Sequence, residues 1–292
     1  MKLLQQAQQL ALTSNCDDEI EAVTIEEVEA ISPDSLRILH EIIVAPHVGL
    51  ALVALQRAGF FAPLIPAIQK GLELHSSKHF KEIWPHTISV ISQTPAKLTL
   101  RWAALFHDLG KAQAFSIKDN KVTFHHHEKI SAKIFDEFAR KTHIFTRNQR
   151  SSIYFLVSNL GYAEGYEREW TDSAVRRFDK EMGIYLNDML ALSEADITTG
   201  NPSKKAKILS RIAKLKDRVI EIRENDLKQQ SILPKGLGTE IAGQFGIPIG
   251  PRIGEIRKEL ENKIEKGELL ANENFNYYIE YLKRNGVEIT NI

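Results

Sequence analysis

The sequence predicts an all-α protein, and three observations carry that prediction. Apolar residues recur at spacings of three and four along nearly the whole chain. Only one stretch, FSIKDNKVTF (115–124), alternates like a strand pair around a turn dipeptide, Asp119-Asn120. Neither internal repeats nor low-complexity segments interrupt the helical period.

In chain order, SPDSLRILHEIIVAP offers Ser32 or Asp34 as a helix cap, with Leu36, Leu39, Ile42 and Ile43 on one face. VGLALVALQRAGFFAPLIP reads as a second helix, stopped by Gly59 and Pro63. Further helices are predicted over 86–93, 97–109, 128–142, 147–160, 171–182 and 184–198. A long basic helix follows from Ser203. Composition shifts at 198–203 (TTGNPS) and at SILPKGLGTEIAGQFGIPIGPRIG, which concentrates glycine and proline. These shifts suggest three regions: an N-terminal helical region over 1–72, a domain over 73–200, and a basic helix with a helical tail over 201–292.

The 292 residues suffice for a sizeable core, and 43% apolar with 26% charged residues is an ordinary globular composition. Lys plus Arg and Asp plus Glu number 38 each, so attraction to nucleic acid or membrane is not a global property. Any such contact must come from a local patch. Cys16 is the only cysteine, so an internal disulfide is excluded, in keeping with a reducing compartment. Glutamines interrupt the apolar start MKLLQQAQQLALTSN, and no stretch of about 18 apolar residues occurs. The expectation is a cytoplasmic protein without a membrane partner.

The chain has ten histidines. His40 and His47 read as structural or solvated. His75 and His79 are spaced to share a helix face and could bind a metal with Glu82, although that carboxylate is a poor third ligand. The run His125-His126-His127 cannot point one way as a whole, so one of the three at most is expected to serve a site.

His107 and Asp108 stand apart. Leu100, Trp102, Ala103, Leu105 and Phe106 imply a buried helix that ends on this pair. Gly110 is expected to end it in the left-handed conformation, with Lys111 projecting beside it. The pair can close the helix by its own hydrogen bond, or it can offer a nitrogen and an oxygen to a divalent metal. Upstream, Pro85 in FKEIWPHTISVIS can open a helix with His86 in its first turn, able to face His107. Downstream, YLNDMLALSEADITTG is a helix closed by Asp196, and FHHHEKISAKIF starts a helix at His127 and Glu128.

The ordered set "PHT", "LFHDLGK" and "SEAD" resembles the HD superfamily of metal-dependent phosphohydrolases. That resemblance implies His86, His107, Asp108 and Asp196 as metal ligands. LFHDLGK, F-x-x-HE, TDSAVRRF and L-x-L-x-x-AD are further similar to the body of bacterial CCA-adding enzymes and poly(A) polymerases. The stretch from Ile31 to Pro66 resembles that family's neck, and GIPIGPRIGEIRKELE its tail. The glycine-rich strand-turn and paired aspartates of the nucleotidyltransferase head have no counterpart here: the sequence has no Gly-Gly and no Asp-x-Asp. Ser158, Asn159 and Leu160 stand where family members often carry a further histidine, which favours one ion over two.

The resemblance implies hydrolysis of a nucleotide-type phosphomonoester or a 2′,3′-cyclic phosphodiester, with one divalent ion (Mn, Ni, Co, Fe, Zn or Mg) as cofactor. Asp108 or Glu128 is expected to take the proton, and Lys111, His127, Arg176 and Arg177 to contact phosphate. The alternatives are an RNA- or tRNA-binding body with little catalysis, resting on the basic helix from Ser203, and a subunit that pairs with a separate head.

Overall fold

The computed structural model describes residues 2–15, 20–73, 83–118, 121–164, 170–228 and 232–285. Among them helices dominate, and one short hairpin supplies the only paired strands. The chain divides into two units, residues 1–222 and 223–292.

The first unit begins with α1 (Lys2–Thr13), which packs on α4 (Ile38–Val44) and α5 (Val48–Arg57). The short α2 (Ile25–Glu29) opens with a capping box between Thr24 and Glu27. The predicted single helix from Ser32 is two. Ser32 caps α3 (Pro33–Leu36) by accepting from the Ser35 amide, and Arg37 separates it from α4. α5 ends before Gly59, whose φ of +83° is a conformation glycine adopts without strain. α6 (Pro66–Glu73) follows.

α7 (Ile83–Gln93) lies against α8 (Leu98–Phe106), the rod at the centre of the unit. Residues 100–106 of α8 are all buried, and all but Arg101 are apolar, so this helix needs cover on every side. It receives cover from α4, α7, α10 (His127–Thr142), α11 (Arg147–Asn159) and α14 (Leu186–Ala195). Trp102 and Phe106 pack with Phe135, Phe138 and Phe145 at ring separations of 5.1–6.2 Å. Arg101 on the same rod is buried, with no carboxylate partner among the described residues. Its guanidinium donates to the carbonyls of Ile43, in the last turn of α4, of Ala45, just past it, and of Thr94, past the end of α7. Three carbonyls that those ending helices leave over are thereby satisfied.

Between α8 and α10 lie α9 (Lys111–Ala114) and the antiparallel strands β1 (Ser116–Lys118) and β2 (Lys121–Thr123). The hairpin expected in FSIKDNKVTF is present; its turn pair Asp119-Asn120 lies outside the described residues. α12 (Gly161–Glu164) and α13 (Asp172–Met182) precede α14, and α15 (Pro202–Lys228) is the long basic helix. Ile212, Leu215, Val219 and Ile222 form its buried face within the first unit.

The second unit has its own core, built from α16 (Leu237–Phe245), α17 (Pro251–Glu265) and α18 (Phe275–Arg284) around Leu237, Ile241, Leu260 and Tyr278. No helix among the described residues is long and apolar enough to cross a membrane.

One local expectation is corrected. Gly110 is right-handed, with φ −72° and ψ −16°, so it is not a left-handed cap. A Cβ there would stand 2.3 Å from the His127 carbonyl oxygen and 2.6 Å from the Ser131 amide nitrogen. Glycine is required by the approach of α10, not by its own dihedral angles.

Candidate metal centre

Three helix ends bring four side chains together. His86 stands in the first turn of α7, just after Pro85, where a missing amide hydrogen costs little. His107 is the C-cap of α8 and Asp108 follows it; Asp196 is the C-cap of α14. His86 Nε2 lies 3.3 Å from Asp108 Oδ2 and 2.9 Å from Asp196 Oδ1. His107 Nε2 lies 3.4 Å and 3.2 Å from the same two oxygens, and 3.2 Å from His86 Nε2.

Both rings are oriented from behind. His107 Nδ1 lies 2.7 Å from the Ala104 carbonyl, which can only accept, so Nδ1 carries the hydrogen and a neutral ring presents Nε2 to the cluster. His86 Nδ1 is held 2.9 Å from Thr198 Oγ1.

The electrostatics follow from burial and pairing. Burial alone would lower His107, but the charges of Asp108 and Asp196 override it and raise the imidazole to about 10. His86 is raised in the same way, with burial opposing and its hydrogen bonds to the Asp108 and Asp196 carboxylates prevailing. Burial pushes the carboxyls of Asp108 and Asp196 up, and His107 above all pulls both below their ordinary range.

His86, His107 and Asp108 offer ligand atoms that all lie within 4.8 Å of one another and could hold a divalent ion, and Asp196 Oδ1 reaches both imidazoles. Bonds of about 2.1 Å separate neighbouring ligand atoms by about 3.0 Å at an octahedral site and about 3.4 Å at a tetrahedral one. The five separations above run from 2.9 to 3.4 Å. Asp196 Oδ1 is buried and faces the Nε2 atoms of both imidazoles, at 2.9 Å and 3.2 Å. Imidazole and carboxylate donors suit Mn, Fe, Co, Ni or Zn and leave Mg open.

Around this core the turn 107–110 is tied to α10. The Gly110 amide donates to Ser131 Oγ at 2.8 Å. Lys111 Nζ lies 2.5 Å from Asp108 Oδ2. His127 donates from Nδ1 to the Phe124 carbonyl at 3.0 Å and brings Nε2 to 3.4 Å from Asp108 Oδ1. Of the three consecutive histidines it is the one at the cluster; His126 adopts φ 61° and is exposed, as is His125. Glu128 Oε2 is 3.5 Å from His127 Nδ1. A Cβ on Gly161 would stand 2.9 Å from Glu128 Oε1.

The structure thus gathers His86, His107, Asp108, Asp196, Lys111 and His127, with Glu128 one step further out. Arg176 and Arg177 it leaves exposed on α13. His40 is structural: Nδ1 accepts from Trp102 Nε1 and Nε2 donates to the Ile144 carbonyl, both at 3.0 Å. His75, His79 and Glu82 lie outside the described residues. Sequence reasoning missed Ser131, Thr198 and the Ala104 carbonyl. Thr198, two residues past Asp196, carried the nearest thing to a signal.

Residues 77–219 match the family model of the HD domain. The chain is 24% identical over 243 residues to the A-adding tRNA nucleotidyltransferase of Deinococcus radiodurans, covering 79% of this chain and 54% of that protein. It is 25% identical over 262 residues to the CC-adding tRNA nucleotidyltransferase of Thermus thermophilus, covering 83% and 55%. The chain spans about half the length of these curated relatives.

Proposed function

From a chain whose residues 77–219 carry an HD domain, we propose a metal-dependent phosphohydrolase acting on a nucleotide-type phosphomonoester or a 2′,3′-cyclic phosphodiester. The observation that carries this reading is the convergence of His86 Nε2, His107 Nε2, Asp108 Oδ2 and Asp196 Oδ1. These four would hold one divalent ion, which supplies Lewis acidity toward a phosphoryl oxygen and a lowered pKa for water.

The chain's own residues divide the remaining work. Asp108 has two roles because its oxygens face different ways. Oδ2 belongs to the ligand cluster, while Oδ1 lies beside His127 and would take a proton from an incoming water. Lys111, 27% exposed against 4% for Asp108, has room to swing from the carboxylate to a phosphate oxygen. His127 is the second phosphate contact. Glu128 reaches His127, not Asp108, and serves proton transfer from behind it.

Hydrolysis of 2′,3′-cyclic AMP, nucleoside monophosphates and para-nitrophenyl phosphate, supplied with Mn²⁺, Ni²⁺, Co²⁺ or Mg²⁺, tests the proposal. Turnover by the wild type and at least ~100-fold less by Asp108→Ala is the expected result. Equal inertness of the two proteins under every metal would defeat it.

A second reading rests on α15. Lys204, Lys207, Arg211 and Lys214 are spaced three, four and three apart and so form one stripe, and the three lysines are exposed. With relatives named as tRNA nucleotidyltransferases, the stripe supports an RNA-binding body. A gel shift with tRNA at low salt decides it. Binding that weakens steeply with salt, and less steeply when the four are changed to alanine, supports the reading. No shift at low salt removes it.

A further inference from the structure

A groove of about 690 Å³ lies where α10 and α11 pack together, a size typical of small-molecule sites. Asp136, in its wall, stands about 13 Å along α10 from His127 at the helical rise, so the groove is separate from the metal centre. Phe145 and Phe155 give it an apolar lining. Their rings already pack on Trp102 and Tyr185, so they are walls and not stacking partners.

The polar side of the groove is different. Arg147, Ser151 and Tyr154 are spaced four and three apart on α11, so they form one stripe, and all three are exposed. Among the described residues, none of these side chains has a hydrogen bond, ion pair or ring partner. Asp136 cannot neutralise Arg147, because both of its oxygens are taken. Oδ1 holds Arg150 at 2.6 Å, and Oδ2 holds Arg140 at 3.0 Å. The first turn of α11 contains no acid, and the dipole at that end disfavours a cation. Thr146 and Gln149 close that end with a capping box but bring no negative charge. Arg147 is thus an uncompensated charge beside an apolar groove, an arrangement that an anion would relieve.

We propose that this groove binds a small organic anion with an aromatic body. Arg147 meets the negative group, and Arg150, fixed by its ion pair, supplies a second positive charge at a set position. The hydroxyls of Ser151 and Tyr154 complete the polar side, while Phe145, Phe155 and the Tyr154 ring enclose the body. The site uses no residue of the metal cluster and stands or falls independently of the phosphohydrolase reading.

The probe is 1-naphthalenesulfonate, titrated by calorimetry into the full chain. Sulfate and 1-naphthol serve beside it, one carrying only the charge and the other only the rings. The expected result is a single site that binds the sulfonate at least ~10-fold more tightly than either. Arg147→Ala lowers that affinity about tenfold and Arg147→Lys lowers it less. Tyr154→Ala weakens both the sulfonate and naphthol. Arg147 and Tyr154 are exposed, so these changes leave the core intact. No binding, or an affinity that Arg147→Ala leaves unchanged, overturns the proposal. An affinity lost in Asp108→Ala and kept in Arg147→Ala places the probe at the metal centre and overturns it equally. Sulfate binding as tightly as the sulfonate removes the aromatic body from the ligand and with it the proposed class.

Discussion

Gly110 and Ser131 are joined as closely as backbone permits: the Gly110 amide donates to Ser131 Oγ at 2.8 Å, and a Cβ on Gly110 would stand 2.6 Å from the Ser131 amide nitrogen. The turn that carries Asp108 and the helix that carries His127 are thus in direct contact, tied by the Ser131 hydroxyl.

Gly110→Ala is therefore expected to cost ~3 kcal/mol, because the atoms in the way are backbone and cannot swing aside. Urea unfolding measures the loss. A variant with wild-type stability would show that the two elements can part freely. Any fully folded fraction should bind metal more weakly, since Asp108 and Lys111 move with the turn.

Thr198 touches the cluster only through His86 Nδ1, at 2.9 Å. Thr198→Val keeps the shape and removes the hydroxyl, so Mn²⁺ affinity should fall about 10- to 100-fold while Thr198→Ser retains it. Calorimetric titration of the three proteins gives the answer. Equal affinity for Val and Thr would reduce Thr198 to a bystander.

Metal binding and protons compete for His86 and His107. The folded pKa of His107 is raised to about 10, above its unfolded value of about 6.5. Its pairing with Asp108 and Asp196 thus stabilises the metal-free protein fully below about pH 6.5 and fades as pH rises through about 10. An ion requires both imidazoles deprotonated, and each proton displaced weakens binding by about 1.4 kcal/mol per pH unit below the pKa. The rise in Tm produced by Mn²⁺ should consequently grow between pH 6 and pH 8.5. A rise that shrinks over that range would contradict the charge state assigned to the cluster.

His40 shows the opposite sign. Burial lowers its pKa, and Arg37 adds to the shift while the hydrogen bond to the Ile144 carbonyl opposes it. Its contribution is present above the unfolded value of about 6.5 and declines as pH falls below it. His40→Ala is expected to cost about 1–3 kcal/mol at pH 7.5, since the indole N–H of Trp102 loses its acceptor. The same variant should lose less stability than the wild type between pH 7.5 and pH 5.5. Unfolding curves at the two pH values check both statements.

The helical class was legible because the period of three and four is a local property. His86, His107, Asp108 and Asp196 were legible as an ordered set, each at or near a helix end that proline, glycine or the end of the apolar pattern marks. The role of Gly110 was not, because what forbids its side chain is α10, some 20 residues later, and no local pattern encodes that approach. Arg176 and Arg177 stand at consecutive helical positions, which diverge by about 100°, and the fold leaves both exposed on α13. Ser131 and Thr198 are small hydroxyl residues of a kind found on any helix, and only the fold shows what they hold.

The buried run 100–106 of α8 divides the centre into unequal halves. His107 and Asp108 continue a rod enclosed on every side, with side chains 0% and 4% exposed, whereas His86 and Asp196 are 16% and 17% exposed. Amide hydrogens around Ala103 to His107 should exchange only when the whole unit unfolds, and those around Asp196 and Thr198 through smaller openings. Escape of an ion would then begin at the α14 side and leave the α8 side in place: the centre has a hinge and a jamb.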